Sequence, residues 1–178
     1  RCCKEMNRKL GIKFMLSEPI ASKNLLSKKQ FNEFFLPYLT QAVKQMNEFQ
    51  TSTSIHICGH TKDRWKEVAD AGVSGFWVDN CESLQELKKS FGERVSISGN
   101  LTPVEVLEDG TQEEIEANVK KCIWEAGDNP KGYTLCPGCT TPVGTSAENM
   151  TAFMNAAAMY GKDARKGCMP KGMRNVFF

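Results

Sequence analysis

The sequence predicts an α/β fold built on a parallel sheet, and three observations support this prediction. Short β-branched and apolar runs alternate with longer stretches whose apolar residues recur every three or four positions. The connections between them are short, as expected for right-handed βα crossovers. No G-x-G-x-x-G turn follows a strand, so dinucleotide binding has no support. The alternation fits both a doubly wound open sheet and part of a closed barrel.

Five predicted strands alternate with helices. The strands are expected at residues 12–16, 54–58, 75–78, 94–98 and 132–136. The helices are expected at 28–46, with a kink or split at Pro37, and at 62–71, 82–91, 112–126 and 146–160. Capping boxes predict helix starts after Ser27 and Thr111, and Thr61 is the expected N-cap of the helix at 62–71. A short helical turn is expected after Thr102, because a proline follows at the first helical position.

The composition is that of an ordinary globular protein, with 40% hydrophobic and 25% charged residues. The net charge of +2 favours neither nucleic acid nor a membrane surface as a partner. No apolar run is long enough for a membrane span, and the first residues do not form a signal peptide. The 178 residues suffice for one domain but fall short of the roughly 250 of a complete barrel.

The chain has eight cysteines, and their placement bears on the compartment. Cys58 and Cys136 fall in or at the ends of strand-like runs, and Cys122 lies on the apolar face of a predicted helix. Small secreted domains place their cysteines in the loops of a disulfide-dense chain instead. The pattern therefore predicts reduced thiols in a cytoplasmic protein, some of them structural and some available to a metal.

Polar and thiol side chains gather at one edge of the predicted sheet. They stand at or just beyond the carboxyl ends of successive strands and comprise Glu18, His56, Cys58, Asp79, Asn100, Cys136 and Cys139. Ligands bind at this edge in both parallel α/β architectures. Packing explains a single residue of this kind more easily than the whole set, so the edge is a candidate functional site.

A subset of these residues has the composition of a zinc site. His56 and Cys58 are two apart on a strand, so their side chains point to the same face. Cys139 follows a Pro-Gly turn after another strand and supplies a thiolate from a second element. Three nitrogen and sulfur ligands with one open position are typical of catalytic zinc. Asp79 could fill the fourth position when substrate is absent.

The same residues allow other interpretations at this stage. His56 and Cys58 could be a core histidine beside a buried thiol. Cys136 and Cys139 have the spacing of a redox pair. The two pairs could also combine into a closed structural zinc site.

Three segments resemble motifs of the uroporphyrinogen decarboxylase-like family. The first is SEPIAS at 17–22, with spaced aromatic residues from Phe31 to Tyr38. The second joins ISGNLTPVEVL at 97–107 to GTQEEI at 110–115, and the third is PGCTTPVGTSAEN at 137–149. The resemblance implies the C-terminal part of a (β/α)8 TIM barrel, about five βα units within residues 1–161. A basic tail of unknown role would follow at 162–178.

Within that family, the segment His-Ile-Cys-Gly at 56–59 is similar to zinc-dependent methylcobamide:thiol methyltransferases, such as the coenzyme M methyltransferases of methanogens. The resemblance implies that His56, Cys58 and Cys139 bind Zn2+. It implies methyl transfer from a corrinoid (methylcobamide) on a partner protein to a small thiol acceptor. It also places an acidic residue near the zinc at Asp79, where glutamate is commoner.

Glu18 and Asn100 are predicted from position alone to orient the substrate or a metal ligand, although a salt bridge and a loop cap are simpler roles. The barrel would be completed by an N-terminal half-barrel or by a second copy, and the isolated segment would be inactive. Two alternatives remain: a tetrapyrrole decarboxylase of the uroporphyrinogen decarboxylase type, and a non-catalytic corrinoid- or partner-binding module with a structural zinc.

Overall fold

The computed structural model describes residues 2–174 and 176, and its centre is one parallel sheet of five strands. The strands are β1 (Met15–Ser17), β2 (Ser54–Ile57), β3 (Gly75–Val78), β4 (Ser96–Leu101) and β5 (Tyr133–Pro137). They lie side by side in the order of the sequence, and each neighbouring pair is parallel. A doubly wound sheet reverses its strand order, whereas a barrel keeps it. The sheet is therefore a barrel segment.

Helices precede, connect and follow the strands. The α-helices are α1 (Cys2–Leu10), α2 (Lys28–Gln30), α3 (Leu36–Asn47), α4 (Trp65–Asp70), α5 (Leu84–Phe91), α6 (Gln112–Ala126) and α7 (Ala147–Tyr160). The described part of the chain also has π-helical turns at Phe31–Phe35 and Pro103–Glu108, and 3-10 turns at Pro19–Ala21, Lys62–Arg64 and Lys171–Met173. None of the helices described is long and apolar enough to cross a membrane.

The sheet has an apolar face and a polar face, because successive side chains of a strand alternate in direction. The apolar face packs against the helices and buries Ile55, Ile57, Phe76, Val78 and Ile97. The opposite face, called the inner face below, comprises Ser17, Ser54, His56, Trp77, Ser98, Thr134 and Cys136, which follow from the strand register. Most of the inner face is half-buried or exposed, so the hydrophobic core lies on the helix side alone.

Two hydrophobic clusters form that core. The first joins the strands to α3, α4 and α5 and includes Phe31, Val43, Ile55, Phe76 and Leu87. The second lies around α6 and α7 and includes Leu101, Ile115, Val119, Phe153 and Met173. The segment after α7 thus contributes to the core, because Met173 is 2% exposed.

Local sequence signals place several helix starts correctly. Ser27 and Thr111 both form complete capping boxes, with Gln30 and Glu114 as the reciprocal side chains. The stretch predicted to kink or split at Pro37 changes from a π-helical turn, Phe31–Phe35, to α3 at Leu36, with Pro37 in the first turn of α3. These starts depend on residues within one turn of each other, which is why the sequence reveals them.

Thr61 stands at the predicted N-cap position, before the 3-10 turn Lys62–Arg64, but its side chain makes no capping hydrogen bond. Its hydroxyl donates to the Glu82 carboxylate at 3.2 Å and accepts from Trp65 Nε1 at 3.0 Å. The Glu82 carboxylate also accepts from the backbone N–H groups of Thr61 and Lys62. A residue from the next βα loop has taken over the capping role, and the α-helix begins only at Trp65.

The strand bounds differ from the prediction everywhere except at β3, most of all at β1 and β4, and α1 was not predicted. β1 begins only at Met15, because the side-chain amide of Gln50 satisfies the backbone N–H and C=O of Phe14 at 3.0 and 2.9 Å. β4 begins at Ser96, since Val95 N–H still bonds back to Phe91 at 3.0 Å. The first shift comes from a tertiary partner, and the second from a local backbone bond at the end of the preceding helix.

The buried Met173 should stabilise the protein although it lies in the segment predicted to be a tail. Met173→Ala removes a buried side chain of the second cluster, and we expect a loss of about 2–4 kcal/mol in the free energy of unfolding. Met159→Ala is the matched control, because Met159 is 60% exposed and should cost little. Urea unfolding measures both. Equal effects of the two substitutions would contradict the assignment of Met173 to the core.

Candidate metal centre

Three potential metal ligands converge at the carboxyl edge of the sheet. β2 carries His56, which is 3% exposed, and Cys58 follows directly after this strand. Cys139 lies in the turn that follows β5. His56 Nε2 is 3.1 Å from Cys58 Sγ, and the two Sγ atoms are 3.4 Å apart. Among the described residues this is the one group of three or more His, Cys, Asp or Glu side chains whose ligand atoms lie within 4.8 Å of one another.

The hydrogen bond of the histidine ring fixes its tautomer. His56 Nδ1 lies 3.0 Å from the backbone carbonyl oxygen of Trp77. A carbonyl oxygen can only accept, so Nδ1 carries the proton and donates it. Nε2 is then left with a lone pair that faces Cys58. A backbone carbonyl that orients a histidine in this way is the usual support of a metal-ligating imidazole.

The donor set and its dimensions fit zinc. Zn–S bonds of about 2.3 Å and Zn–N bonds of about 2.0 Å place tetrahedral ligand atoms roughly 3.5–3.8 Å apart. The observed separations of 3.1 and 3.4 Å are a few tenths of an ångström shorter. Soft thiolates with a neutral imidazole select Zn2+ over Mg2+ or Ca2+. Small outward shifts of the three side chains would therefore accommodate the ion.

The protonation of Cys58 is consistent with a site that needs a cation. Burial raises the pKa of the Cys58 thiol to about 11, with the hydrogen bond to Cys139 and the charges of Cys139 and Asp79 adding to the effect. The thiolate that a metal ligand requires is thus disfavoured by its surroundings. A metal cation bound at the site would favour the thiolate.

Cys136 does not join the group. It lies on β5 opposite Asn100 and is half-buried, and burial raises its thiol pKa to about 12. The nearest thiol partner of Cys139 is Cys58, on another strand, not Cys136. The structure brings together the three side chains that the prediction named, while their metal role stays a prediction.

Asp79 and Asn100 lie next to the group, and their side chains bind backbone. The Asp79 carboxylate accepts from Gly59 N–H at 2.7 Å and from Cys81 N–H at 3.3 Å. The Asn100 side-chain amide donates to the carbonyl oxygens of Asp79 at 3.0 Å and Glu82 at 2.7 Å. Neither residue belongs to the converging donor set. Asp79 thus lies beside Cys58 through its bond to Gly59, Asn100 contacts the loop that carries Asp79, and their roles in catalysis stay predictions.

Glu18 follows β1 at the same edge. Its backbone N–H donates to the carbonyl oxygen of His56 at 2.8 Å, so the two strand ends are adjacent. The loop that continues from Glu18 is fixed by the fully buried Arg64, whose guanidinium donates to the carbonyl oxygens of Ala21 at 2.6 Å and Leu26 at 3.1 Å. Glu18 is thus near the site by its backbone, and its proposed catalytic role stays a prediction.

The sequence interpretation missed two residues of this region, Trp77 and Glu82. The Trp77 ring lies against the His56 ring, with centroids 4.2 Å apart and planes inclined by 35°. Its indole N–H donates to the carbonyl oxygen of Pro137 at 2.8 Å. Strand alternation could have placed Trp77 on the inner face with His56, since Phe76 and Val78 take the apolar face. No local pattern could have placed Glu82.

Comparison with known proteins supports this description of the fold. The chain is similar to methylcobamide:CoM methyltransferase MtbA of Methanosarcina acetivorans, with 30% identity over 143 residues, and to MtbA of Methanosarcina mazei, with 32% over 145 residues. Each alignment covers 80% of this chain and 40% of the relative. A uroporphyrinogen decarboxylase of Vesicomyosocius okutanii is 26% identical over 143 residues, covering 79% of this chain and 40% of the relative.

The structural comparison agrees. A solved methyltransferase from Methanosarcina mazei superimposes with a TM-score of 0.68 and 27% identity, over 80% of this chain and 40% of that protein. The chain thus spans about 40% of the length of these relatives. Five sequential parallel βα units confirm the predicted C-terminal part of a (β/α)8 barrel. Since the family profile of uroporphyrinogen decarboxylase (URO-D) matches residues 13–160, the chain belongs to that family.

Proposed function

We propose that this chain carries the metal centre of a zinc-dependent methyltransferase, which moves a methyl group from a methylated corrinoid protein to a thiol such as coenzyme M. The observation that carries the proposal is the convergence of His56, Cys58 and Cys139 at the carboxyl edge of the sheet. The names of the methylcobamide:CoM methyltransferase relatives agree with it. A decarboxylase would not need this soft donor set.

The three residues would hold the ion through one neutral nitrogen and two thiolates. When bound there, zinc would lower the pKa of an incoming thiol and so supply a nucleophile at neutral pH. His56 presents Nε2 because its other nitrogen is occupied by the carbonyl of Trp77. Cys58 and Cys139 bring negative charge to a partly desolvated site, which favours electron release from sulfur toward the methyl group. The described residues supply only these three donors, so the substrate sulfur would complete the set.

The neighbouring polar residues would act on the site from outside the donor set. We assign Asp79 the role of holding Gly59, the residue next to Cys58, through its 2.7 Å hydrogen bond. Asn100 would hold the loop that carries Asp79. Glu18 is proposed to orient the substrate, because it ends the strand adjacent to His56.

Partners follow from the same proposal. A corrinoid protein would deliver the methyl group to the carboxyl edge, and a polypeptide supplying the remaining βα units would cover the inner face. The cysteines of the described chain are free thiols, which favours a reducing compartment such as the cytoplasm.

Metal binding is the first test. The 178-residue chain should bind one zinc ion, and Cys139→Ser should reduce its zinc content to a small fraction of the wild-type value, because it removes one of three ligands. Cys136→Ser is the matched control and should leave the zinc content unchanged. Metal analysis after gel filtration measures both. Zinc loss in Cys136→Ser would instead support a closed structural site, and a wild-type chain without zinc would favour the decarboxylase alternative.

Methyl transfer is the second test. With the barrel complete and loaded with zinc, the protein should demethylate methylcobalamin only when a thiol such as coenzyme M is added. His56→Ala should lower the rate at least about 100-fold, since it removes one of the three ligands. The corrinoid absorption spectrum follows the reaction. Thiol-independent decarboxylation of a tetrapyrrole by the same protein would overturn the proposal.

The role of Asp79 gives a third test. Asp79→Asn keeps an oxygen that can accept from Gly59 N–H, so zinc affinity should stay within about tenfold of wild type. Asp79→Ala removes both acceptors and should lower the free energy of unfolding by about 1–3 kcal/mol. Chelator competition and urea unfolding measure the two quantities. If Asp79→Asn loses zinc as completely as Cys139→Ser, the carboxylate is a direct ligand.

A further inference from the structure

Trp77 lies between the two elements that carry the proposed ligands. It stands in β3, directly opposite His56 in the parallel register, and its side chain is on the inner face. Its neighbours Phe76 and Val78 are buried on the helix side, whereas Trp77 is only half-buried. Trp77 belongs to neither hydrophobic cluster of the described chain and stands on the face that carries His56. Its placement beside His56 therefore points to a task at the site.

The backbone carbonyl and the indole ring of Trp77 both contact the His56 ring. The backbone carbonyl of Trp77 accepts the Nδ1 proton at 3.0 Å, and the two rings stack with centroids 4.2 Å apart. The imidazole is thus held along one edge by a hydrogen bond and across one face by an aromatic surface. Both contacts limit rotation of the ring, so Nε2 keeps its direction toward Cys58.

The indole N–H of Trp77 holds the backbone just before Cys139. The indole N–H donates to the carbonyl oxygen of Pro137 at 2.8 Å, two residues before Cys139. β3 and β5 are not neighbours, because β4 lies between them. The indole therefore reaches over β4 to a strand that β3 does not pair with. On the other side, Gly138 N–H bonds to the carbonyl of Leu101 at 2.8 Å, so the turn is held from two directions.

Cys58 and Cys139 follow two strands that lie far apart in the sheet. β2 and β5 are three strand steps apart, which amounts to roughly 14 Å on a flat sheet at about 4.8 Å per step. The sulfur atoms that follow these strands nevertheless approach to 3.4 Å. Sheet curvature and the two turns must supply the difference, and Trp77 contacts both sides of the gap.

We propose that the Trp77 side chain is a positioning residue of the metal centre, setting the distance between His56 and the Cys139 turn. The inference rests on the proposed function for the identity of the metal, although the positioning itself concerns the protein alone. Trp77 touches neither substrate nor metal in this role. It acts through His56 and through the backbone of Pro137.

Two substitutions separate the two contacts. Trp77→Phe keeps an aromatic ring beside His56 and removes the indole N–H, whereas Trp77→Leu removes both. Zinc affinity should fall about tenfold in the first and about 100-fold in the second. Trp65→Phe is the matched control: it loses a comparable indole hydrogen bond, to Thr61 Oγ1 at 3.0 Å, but no ring next to His56. Its zinc affinity should stay at the wild-type value.

The measurements use the 178-residue chain with Zn2+ and a competing chelator, and with Co2+ as a spectroscopic probe. The thiolate-to-cobalt absorption should weaken or shift in both Trp77 variants and stay unchanged in Trp65→Phe. Thermal unfolding shows whether each variant is folded. Wild-type affinity and spectrum in Trp77→Leu would overturn the proposal, as would equal zinc loss in the Trp65→Phe control.

A metal-free measurement keeps the inference separate from the proposed function. Diamide, an azo oxidant, takes up two electrons and two protons as the Cys58 and Cys139 thiols join in one disulfide. Peptide mass spectrometry follows that bond, and Trp77→Leu should slow its formation about tenfold, because the turn is no longer held near β2. If wild-type protein binds no zinc, the proposed function fails, and this rate alone decides. An unchanged rate in Trp77→Leu overturns the positioning role.

Discussion

A row of hydrogen bonds runs sideways along the carboxyl edge of the sheet, and the site depends on it. The Asn100 amide holds the carbonyl oxygens of Asp79 and Glu82, so the loop after β3 is tied to the end of β4. The carboxylates of these two residues then hold the loop after β2 through the N–H groups of Gly59 and Thr61. Cys58 stands directly before Gly59. Each loop is thus fixed by the next one along the chain.

This row explains why acidic side chains are buried beside a site that would hold thiolates. Glu82 is 7% exposed, and leaving its charge without donors would cost several kcal/mol. The donors are backbone N–H groups at the start of a 3-10 turn, which themselves need partners. The Glu82 carboxylate and the N–H groups of the loop are thus each other's hydrogen-bond partners. This pairing determines the conformation of the loop. An apolar side chain at position 82 would leave the same N–H groups unpaired.

The fold was predictable to the extent that its signals were local. Strand periodicity located β3 to the residue, and the capping boxes at Ser27 and Thr111 located two helix starts. The failures occurred where a distant side chain competes with the local pattern. Gln50 takes the backbone groups of Phe14 and so shortens β1, and Glu82 replaces Thr61 as a cap. No residue near Phe14 or Thr61 in the sequence indicates that Gln50 or Glu82 will form these hydrogen bonds.

The candidate site, too, was predictable only where its signals were local. The two-residue spacing of His56 and Cys58 determines their common face, so the sequence alone could group them. Cys139 could be added because parallel strands end at one edge, although only the curvature of the sheet brings its sulfur to 3.4 Å from Cys58. The directions of Asp79 and Asn100 could not be predicted, since short polar side chains at strand ends bind whichever backbone groups the neighbouring loops present. Only the structure of the loops shows which hydrogen bonds Asp79 and Asn100 form.

The distribution of apolar residues suggests that the chain sets the geometry of the metal centre by itself. Its hydrophobic clusters lie between the sheet and the helices, while the inner face is lined largely by serine and threonine. Small polar side chains lose little when they stay hydrated, so the sheet does not need a covered inner face to keep its core. His56, by contrast, is buried by contacts within this chain, among them Trp77. The positions of the three candidate donors therefore follow from the strands, loops and hydrogen bonds of this chain.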